Sequence, residues 1–382
     1  MEQQDEKYLD DINHDEEDTF ETKRDLVIKK IKKRRIIFTA LLACEAMLLV
    51  LAILGTIAFF YIKSLTYDNM NTGTVVFDDD DVKVNEDLPE DVKIATEKYT
   101  TIMLYGVDAR NNRDLVKDAN ADTDIIVVID NDTYEVKMVS VLRDTFMSMT
   151  NGKYRKLTDI YSGWGVKESL ESVNRNFDLR ITKYVAVNWK SLADAINMLG
   201  GLDIDLTTAE INNMNSLLPS VRDATGLDSY PITGTTGTYH LDGVMSVCYA
   251  RVRHVGTDHD IGRASRQRIV ITKMLESAKE HSIGELTDIC EEVFPGIATN
   301  LTFSEILGMM MNVLKYNIGD QTVFPFKYVD QEDKVTAYVY CNTLVDNVTQ
   351  LHTFLYGSEN YSPSGTVQLI SEYIKTYRKE HP

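Results

Sequence analysis

ADTDIIVVIDNDTYEVKMVSVLRDT, residues 121–145, holds two β-branched runs on either side of a polar tetrapeptide. The runs 124–130 and 135–142 suit strands, and NDTY between them is turn chemistry, so the pair is expected to form a hairpin. Further strand-like runs lie at 101–107, 184–188 and 335–341. Amphipathic helical spacing covers 168–176, 189–199, 207–217, 242–251, 263–281, 304–316 and 343–356. Strands interleaved with helices in this order predict an α/β domain, a mixed central β-sheet flanked by helices. No segment repeats at a fixed period, which excludes a solenoid.

Upstream of this domain, residues 36–62 read IIFTALLACEAMLLVLAILGTIAFFYI. That apolar run exceeds the roughly 20 residues a helix needs to cross the hydrocarbon core. It is too long for a signal-peptide core and no small-residue cleavage site follows it, so it is expected to be an uncleaved transmembrane helix. Lys29, Lys30, Lys32, Lys33, Arg34 and Arg35 precede it, whereas Lys63 is the only nearby basic residue beyond. The positive-inside rule then places the N-terminus in the cytoplasm and the main domain outside. Glu45, inside the span, is expected against a partner helix or near the interface, because a charge facing lipid is costly. The chain therefore divides into a charged cytoplasmic tail at 1–35, the span at 36–62, a linker at 63–97, the main domain at 98–356 and a C-terminal helical tail at 357–382. The acidic run Asp78 to Asp81 lacks the glycine and closing glutamate of a calcium loop and reads as solvated linker.

Of 382 residues, 43% are hydrophobic, and the formal net charge is -19. A sizeable core is affordable, but nucleic acid is not an expected partner, since its phosphates demand clustered cations over a wide surface. Cys44, Cys248, Cys290 and Cys341 form no CxxC pair, so neither a zinc site nor a disulfide framework is signalled, and buried free thiols are expected.

Charged residues gather at the ends of the apolar elements. Asp108 and Arg110 follow a strand in GVDAR, Asp122 and Asp124 open the next, and Arg143 and Asp144 close the third. Lys156 and Tyr161 follow in KLTDIY. The segment YARVRHVGTDHDIGRASRQR carries Arg251, Arg253, Asp260, Arg263, Arg266 and Gln267. Positions 263, 266 and 267 stand at i, i+3 and i+4, one face of a helix capped by Asp260 or the loop beside it. Several guanidiniums in an acidic domain suit a pyrophosphate or phosphodiester, which arginine grips in bidentate fashion. A basic helix face paired with carboxylates in solvent explains the same pattern. Asp108 and Asp122 could share a magnesium ion with phosphate oxygens, although an aspartate after a strand is commonly a turn residue. His254, Asp258 and His259 lack the spacing of a zinc site and read as plain loop.

Taken jointly, GVDAR, ADTDIIVVI, VLRDT, KLTDIY, YARVR and DIGRASRQR resemble the LytR-CpsA-Psr family over roughly residues 98–356, and ATNLTFSEIL extends the likeness. The resemblance implies an α/β domain that holds a polyprenyl pyrophosphate, its lipid in an apolar tunnel and its head group among arginines. It implies a phosphotransferase at the bacterial cell membrane that moves a teichoic acid, capsular or other wall polysaccharide from undecaprenyl pyrophosphate to a peptidoglycan hydroxyl. By the same likeness, Asp108 and Asp122 match magnesium-associated aspartates. Arg143, Arg251, Arg253, Arg263 and Gln267 match pyrophosphate-contacting positions, with Arg266 in the same motif. Asp260 falls where a base or arginine-orienting carboxylate occurs, Lys156 and Tyr161 match residues beside the pocket, and Arg110 belongs to the catalytic segment. The chain departs from the pattern at Asn120, where an arginine is usual, at Leu142, where a proline is usual, and at Thr158, where an asparagine is usual. Arg113 or Lys117 is expected to replace the missing guanidinium, with solvent-exposed loop cations as the plainer alternative.

A non-catalytic polyprenyl-phosphate-binding or regulatory envelope protein of the same fold is the other reading, against which the retained Asp108, Asp122 and Arg143 weigh. A DNA-binding regulator would need a helix-turn-helix that the 35-residue tail does not offer. Neither GxSxG nor SxxK occurs in the outer domain, which disfavours a serine hydrolase. Helices at 189–199 and 304–316 could line a lipid tunnel, but their pattern is that of ordinary core helices.

Overall fold

The computed structural model describes residues 77–109, 115–253, 255–256, 259–332, 337–359 and 361–381. The expected membrane span, Glu45, Cys44, Arg110, Arg113, His254 and Asp258 lie outside them. Among the described residues no helix is long and apolar enough to cross a membrane.

The described residues form twelve strands: β1 Tyr99–Val107, β2 Ala121–Asp130, β3 Glu135–Val141, β4 Phe146–Ser148, β5 Tyr154–Lys156, β6 Lys183–Asn188, β7 Leu202–Leu206, β8 Gly237–Leu241, β9 Ile297–Thr299, β10 Asn317–Phe324, β11 Tyr328–Glu332 and β12 Ala337–Cys341. The helices are α1 Glu90–Lys98, α2 Leu157–Trp164, α3 Val166–Phe177, α4 Trp189–Met198, α5 Thr208–Thr225, α6 Gly243–Arg251, α7 His259–Ala278, α8 Ile283–Val293, α9 Phe303–Met311, α10 Leu344–Tyr356 and α11 Gly365–Glu380. Six strands make the central sheet in the order β10-β3-β2-β1-β6-β9. β2 runs antiparallel to both β1 and β3, while β1 with β6 and β3 with β10 are parallel, so the sheet is mixed as expected. The β2–β3 hairpin forms at the anticipated turn, where Asp130 Oδ1 accepts the Asp132 and Thr133 amides at 2.9 Å and Tyr134 takes a φ of 60°.

β2 is buried on both faces from Asp124 to Asp130, which is why it reads as an unbroken apolar run rather than an alternation. Met103, Tyr105, Val107, Ile126 and Val128 point into the main core with α2, α3, α10 and α11. Leu104, Ile125, Val127 and Ile129 point the other way, toward Ile271 of α7. Behind α7, a second core joins α4, α5, α6 and the β7–β8 hairpin.

Two boundaries need correction. The described part of the expected linker is packed: Phe77, Val82, Leu88 and Val92 belong to the main core, and α1 leads straight into β1. The expected C-terminal tail is indeed helical, yet Val367, Ile370 and Ile374 of α11 enter that same core. Sequence patterning missed both because single apolar residues in polar surroundings carry no period. It also missed α2, α8, the β4–β5 and β7–β8 hairpins, β9 and the polar strand β10. The expected helix 304–316 ends at Met311, and α7 begins four residues before its expected start.

Asp178 ties both ends of the domain together. It ends α3 in a left-handed conformation, φ 53°, and is fully buried. Its carboxylate accepts hydrogen bonds from Asn85 Nδ2 at 2.6 Å, Tyr361 Oη at 3.0 Å, and the amide and hydroxyl of Ser364 at 2.7 and 2.6 Å. Asp87 adds the amide and hydroxyl of Thr366 at 3.0 and 2.9 Å. Removing a buried acceptor strands its donors, at about 1.5–3 kcal/mol for each bond to a charged group. Asp178→Ala should therefore lose at least about 3 kcal/mol of stability in urea unfolding, with proteolytic release of α11. A loss below about 1 kcal/mol would show that the hub is dispensable.

Candidate functional site

At the C-terminal end of β1, a cavity of about 150 Å³ opens between the sheet and the helices α4 to α7. Gly106 and Thr123 form its floor. A Cβ at Gly106 would lie 2.8 Å from both Cβ and Oγ1 of Thr123, so only glycine lets the two strands meet there. The β1–β2 register slips between Gly106 and Val107, which leaves Asp122 as the extra residue of a bulge. The Asp108 amide donates to the Asn120 carbonyl at 3.0 Å, keeping the two predicted carboxylates on adjacent strand ends.

Asp122, Arg251, Arg253, Arg263 and Gln267, all named as site candidates from the sequence, line this cavity together. Asp260 lies in the first turn of α7 rather than at a cap, and its Oδ1 bridges Arg253 Nη2 at 2.7 Å and Arg263 Nη2 at 3.0 Å. Burial opposes the charge on Asp260, but Arg253, Arg263 and Arg143 outweigh it and hold its carboxyl below the ordinary value of 3.8. Arg263 is the most deeply sunk of these guanidiniums, its side chain 8% exposed. Burial first, and then the neighbouring charge of Arg253, bring its pKa down to about 10, which still leaves it charged at neutral pH. The Arg251 guanidinium lies over the Trp189 ring, 3.7 Å from its centroid, a stacking partner that spacing alone did not reveal.

Arg143 pairs with Asp122 through Nη1 and approaches Asp144 through Nε at 3.7 Å. Burial works against its charge, yet Asp122, Asp144 and Asp260 more than compensate and raise its pKa above the usual arginine range. Lys156 salt-bridges Asp144 at 3.0 Å, so it supports Arg143's partner and does not line the cavity. Asp124, on the same strand as Asp122, is 2% exposed, and neither of its carboxylate oxygens has a hydrogen-bond partner among the described residues. Burial, reinforced by the charge of Asp122, raises its pKa well above 3.8.

Three expectations change. Arg266 does not share the cavity with Arg263 and Gln267. It is buried against α5, where Nε meets Glu210 Oε1 at 2.8 Å and Nη1 donates to the Val252 carbonyl at 3.4 Å. α7 is packed on several sides, so positions i and i+3 there serve different neighbours. Tyr161 is fully buried in the main core, its ring 4.8 Å from Tyr105 and its hydroxyl donating to the Leu115 carbonyl. Lys117 is exposed and absent from the cavity wall, which fits the plain-loop alternative, and Arg113 lies outside the described residues. Cys248, Cys290 and Cys341 are free thiols, as expected.

The cavity is also lined by apolar side chains, Leu192 from α4, Leu217 from α5, and Val247 and Ala250 from α6. The helix at 189–199, read as plain core, thus also walls the cavity. On the same sheet face, at the far end of β1, a second cavity of about 310 Å³ is lined by Thr100, Ile102, Ile129 and residues of α9. Between the two stand Leu104, Ile125 and Val127 with Ile271 over them. A charged mouth joined to an apolar wall suits an amphiphilic anion.

The LytR_cpsA_psr family model matches residues 66–354. Biofilm regulatory protein A of Streptococcus mutans is 27% identical over 55% of this chain, which spans about half of that relative's length, 52%. The polyisoprenyl-teichoic acid--peptidoglycan teichoic acid transferase TagV of Bacillus subtilis is 26% identical over 74% of this chain and 67% of its own. Among solved structures, TagT with bound octaprenyl pyrophosphate lipid shares the fold, with a TM-score of 0.51 at 18% identity over 68% of this chain and 92% of that one.

Asp260 stabilises the folded chain only while ionised. Because its folded pKa lies below 3.8, that contribution is complete above 3.8 and fades as pH falls through the lowered value. Asp260→Asn should be less stable than the parent at neutral pH, and the gap should close on acidification below about pH 4. A gap that stays constant with pH in thermal unfolding would remove the ion-pair account.

Proposed function

The chain belongs to the LytR-CpsA-Psr family, and on that premise we propose that it is a phosphotransferase that moves a wall glycopolymer from an undecaprenyl pyrophosphate carrier onto peptidoglycan. The observation that carries this reading is the cavity that Arg251, Arg253 and Arg263 line together with Leu192, Leu217 and Val247. Guanidiniums suit a diphosphate, and the apolar wall suits the first isoprene units beside it. The relatives named as teichoic acid transferases and the lipid-bound relative of the same fold support it. The longer lipid would run along the sheet face between the two cavities, parting Ile271 from Ile125 and Val127.

In the reaction, an acceptor hydroxyl attacks the phosphorus that bears the sugar. The bond from that phosphorus to the bridging oxygen breaks, undecaprenyl phosphate leaves with the electron pair and takes up the proton given up by the hydroxyl, and the glycan becomes linked to peptidoglycan by a phosphodiester. Arg251, Arg253 and Arg263 neutralise the diphosphate, and Arg143 is held nearby on Asp122 and Asp144 to meet charge that develops on the leaving oxygen. Asp260, gripped by two arginines and lowered in pKa, is a poor proton acceptor, and its role is to orient Arg253 and Arg263. Lys156 keeps Asp144 in place. Magnesium, when bound, would supply further charge neutralisation. Among the described residues no group of three or more His, Cys, Asp or Glu could hold a metal alone. The donor set fits magnesium in its usual form, one or two carboxylates completed by substrate phosphates, here Asp108 and Asp122. Arg143 and the cation would then compete for Asp122. Residues 36–62 would anchor the domain on the outer face of the bacterial membrane.

Arg143→Ala and Arg263→Ala should each cut transfer of a labelled lipid-linked glycan by at least about tenfold, the loss of one bond to a charged group. Asp108→Asn and Asp122→Asn should weaken magnesium-dependent transfer. Transfer at parental rates by both arginine variants would remove the proposed phosphate site, and full transfer in chelator would remove the cation.

A further inference from the structure

The second cavity has an unusual rim. Met311, at the end of α9, is 64% exposed, and Leu314, three residues on, is 71% exposed. Leu369 and Tyr373 form another exposed apolar pair, on α11, and Trp164 and Tyr230 are exposed elsewhere; none of these lines a cavity. Met311 and Leu314 instead flank Asn312 and Tyr316, both of which line the cavity. Tyr134 and Tyr316 stand beside them with ring centroids 6.0 Å apart. Lys315 lies 4.7 Å over the Tyr134 ring and donates to its hydroxyl at 3.3 Å. Adjacent apolar tips, two tyrosines and an exposed lysine form the combination found where proteins meet the water–lipid boundary. Glu305, the acidic side chain that lines the cavity, is already paired with Lys183 at 2.9 Å.

Where the described chain begins gives an independent pointer. Phe77 stacks on Tyr184 at 5.5 Å, and Asp79 pairs with Lys183 at 3.2 Å, and Lys183 lines the same cavity. The first described residues, Phe77 to Asp79, therefore lie beside this cavity.

We propose that Met311 and Leu314, flanked by Lys315, Tyr134 and Tyr316, dip into the headgroup layer of the bilayer and set the mouth of the 310 Å³ cavity against the lipid. This rests on the lipid-substrate reading only for its purpose, since a polyprenyl chain could then pass from the membrane to the sheet face without crossing water. The contact itself is a property of the empty protein.

The full chain, reconstituted in vesicles of phosphatidylcholine and phosphatidylglycerol with doxyl-labelled acyl chains, gives the test. Tryptophan at the rim, Met311→Trp or Leu314→Trp, should be quenched at least about twice as strongly as Tyr230→Trp, because interfacial side chains reach roughly 5–10 Å into the boundary. All three positions are exposed, so the substitutions leave the core intact. Equal quenching at all three would overturn the proposal. So would rim fluorescence that depends on protein concentration in lipid-free detergent and not on the doxyl lipid, which would assign the patch to a second copy. No substrate is present, so the contact stands or falls separately from the transferase reading. The double variant Met311→Asp/Leu314→Asp should still bind a short, soluble polyprenyl pyrophosphate like the parent, yet extract the long-chain lipid from vesicles several-fold more slowly. Extraction at the parental rate would again overturn it.

Discussion

Repulsion among Arg251, Arg253 and Arg263 is the constraint around which the site is built. Three guanidiniums share the wall of a cavity of about 150 Å³, and Arg263 is nearly buried. Such crowding is unfavourable unless each charge is matched or supported. Asp260 bridges two of them, the Trp189 face supports the third, and Arg143 beside them is held by Asp122 and Asp144. Burial first, and then the charge of Arg253, lower the Arg263 pKa to about 10. A diphosphate placed among these guanidiniums would offset their mutual repulsion.

The scaffold has to hold these charges against one another, and α7 is the beam that does so. Its arginines face three ways. Arg263 reaches the cavity, Arg266 anchors to Glu210 of α5, and Arg268 donates to Ser140 of β3 at 2.6 Å from a buried position. The helix is thereby fixed to the second core and to the sheet at once. On the sheet side, Gly106 and the β1–β2 bulge bring the strand ends close enough to place Asp122 within reach of Arg143. Asp122 is thus carried on a strand and Arg251 and Arg263 on helices, while Arg143 and Arg253 follow within two residues of β3 and α6.

Much of this was legible in residue order. The β-branched runs located four strands of the central sheet and the turn of its hairpin, and of the arginines expected together, Arg251, Arg253 and Arg263 line one cavity while Arg266 does not. Which face each arginine serves was not legible, because α7 is buried on several sides and helical spacing presumes one wet face. Tyr161 carries no pattern that separates a pocket tyrosine from a core tyrosine. Trp189 looked like the first residue of a core helix, and its contact with Arg251 joins residues 62 positions apart. The packing of residues 77–98 and of α11 was hidden for a similar reason: the Asp178 hub is made of long-range hydrogen bonds between polar residues that read locally as solvated loop.

Calorimetric titration of the full chain in detergent with a short-chain polyprenyl pyrophosphate, beside the polyprenol of equal length, tests the central claim most directly. The two ligands share the apolar part and differ only in charge. If the arginine cavity is a diphosphate site, the pyrophosphate should bind at least about tenfold more tightly, a difference of about 1.4 kcal/mol, and the advantage should shrink as salt is raised. Equal affinity for the two at every salt concentration would contradict the account.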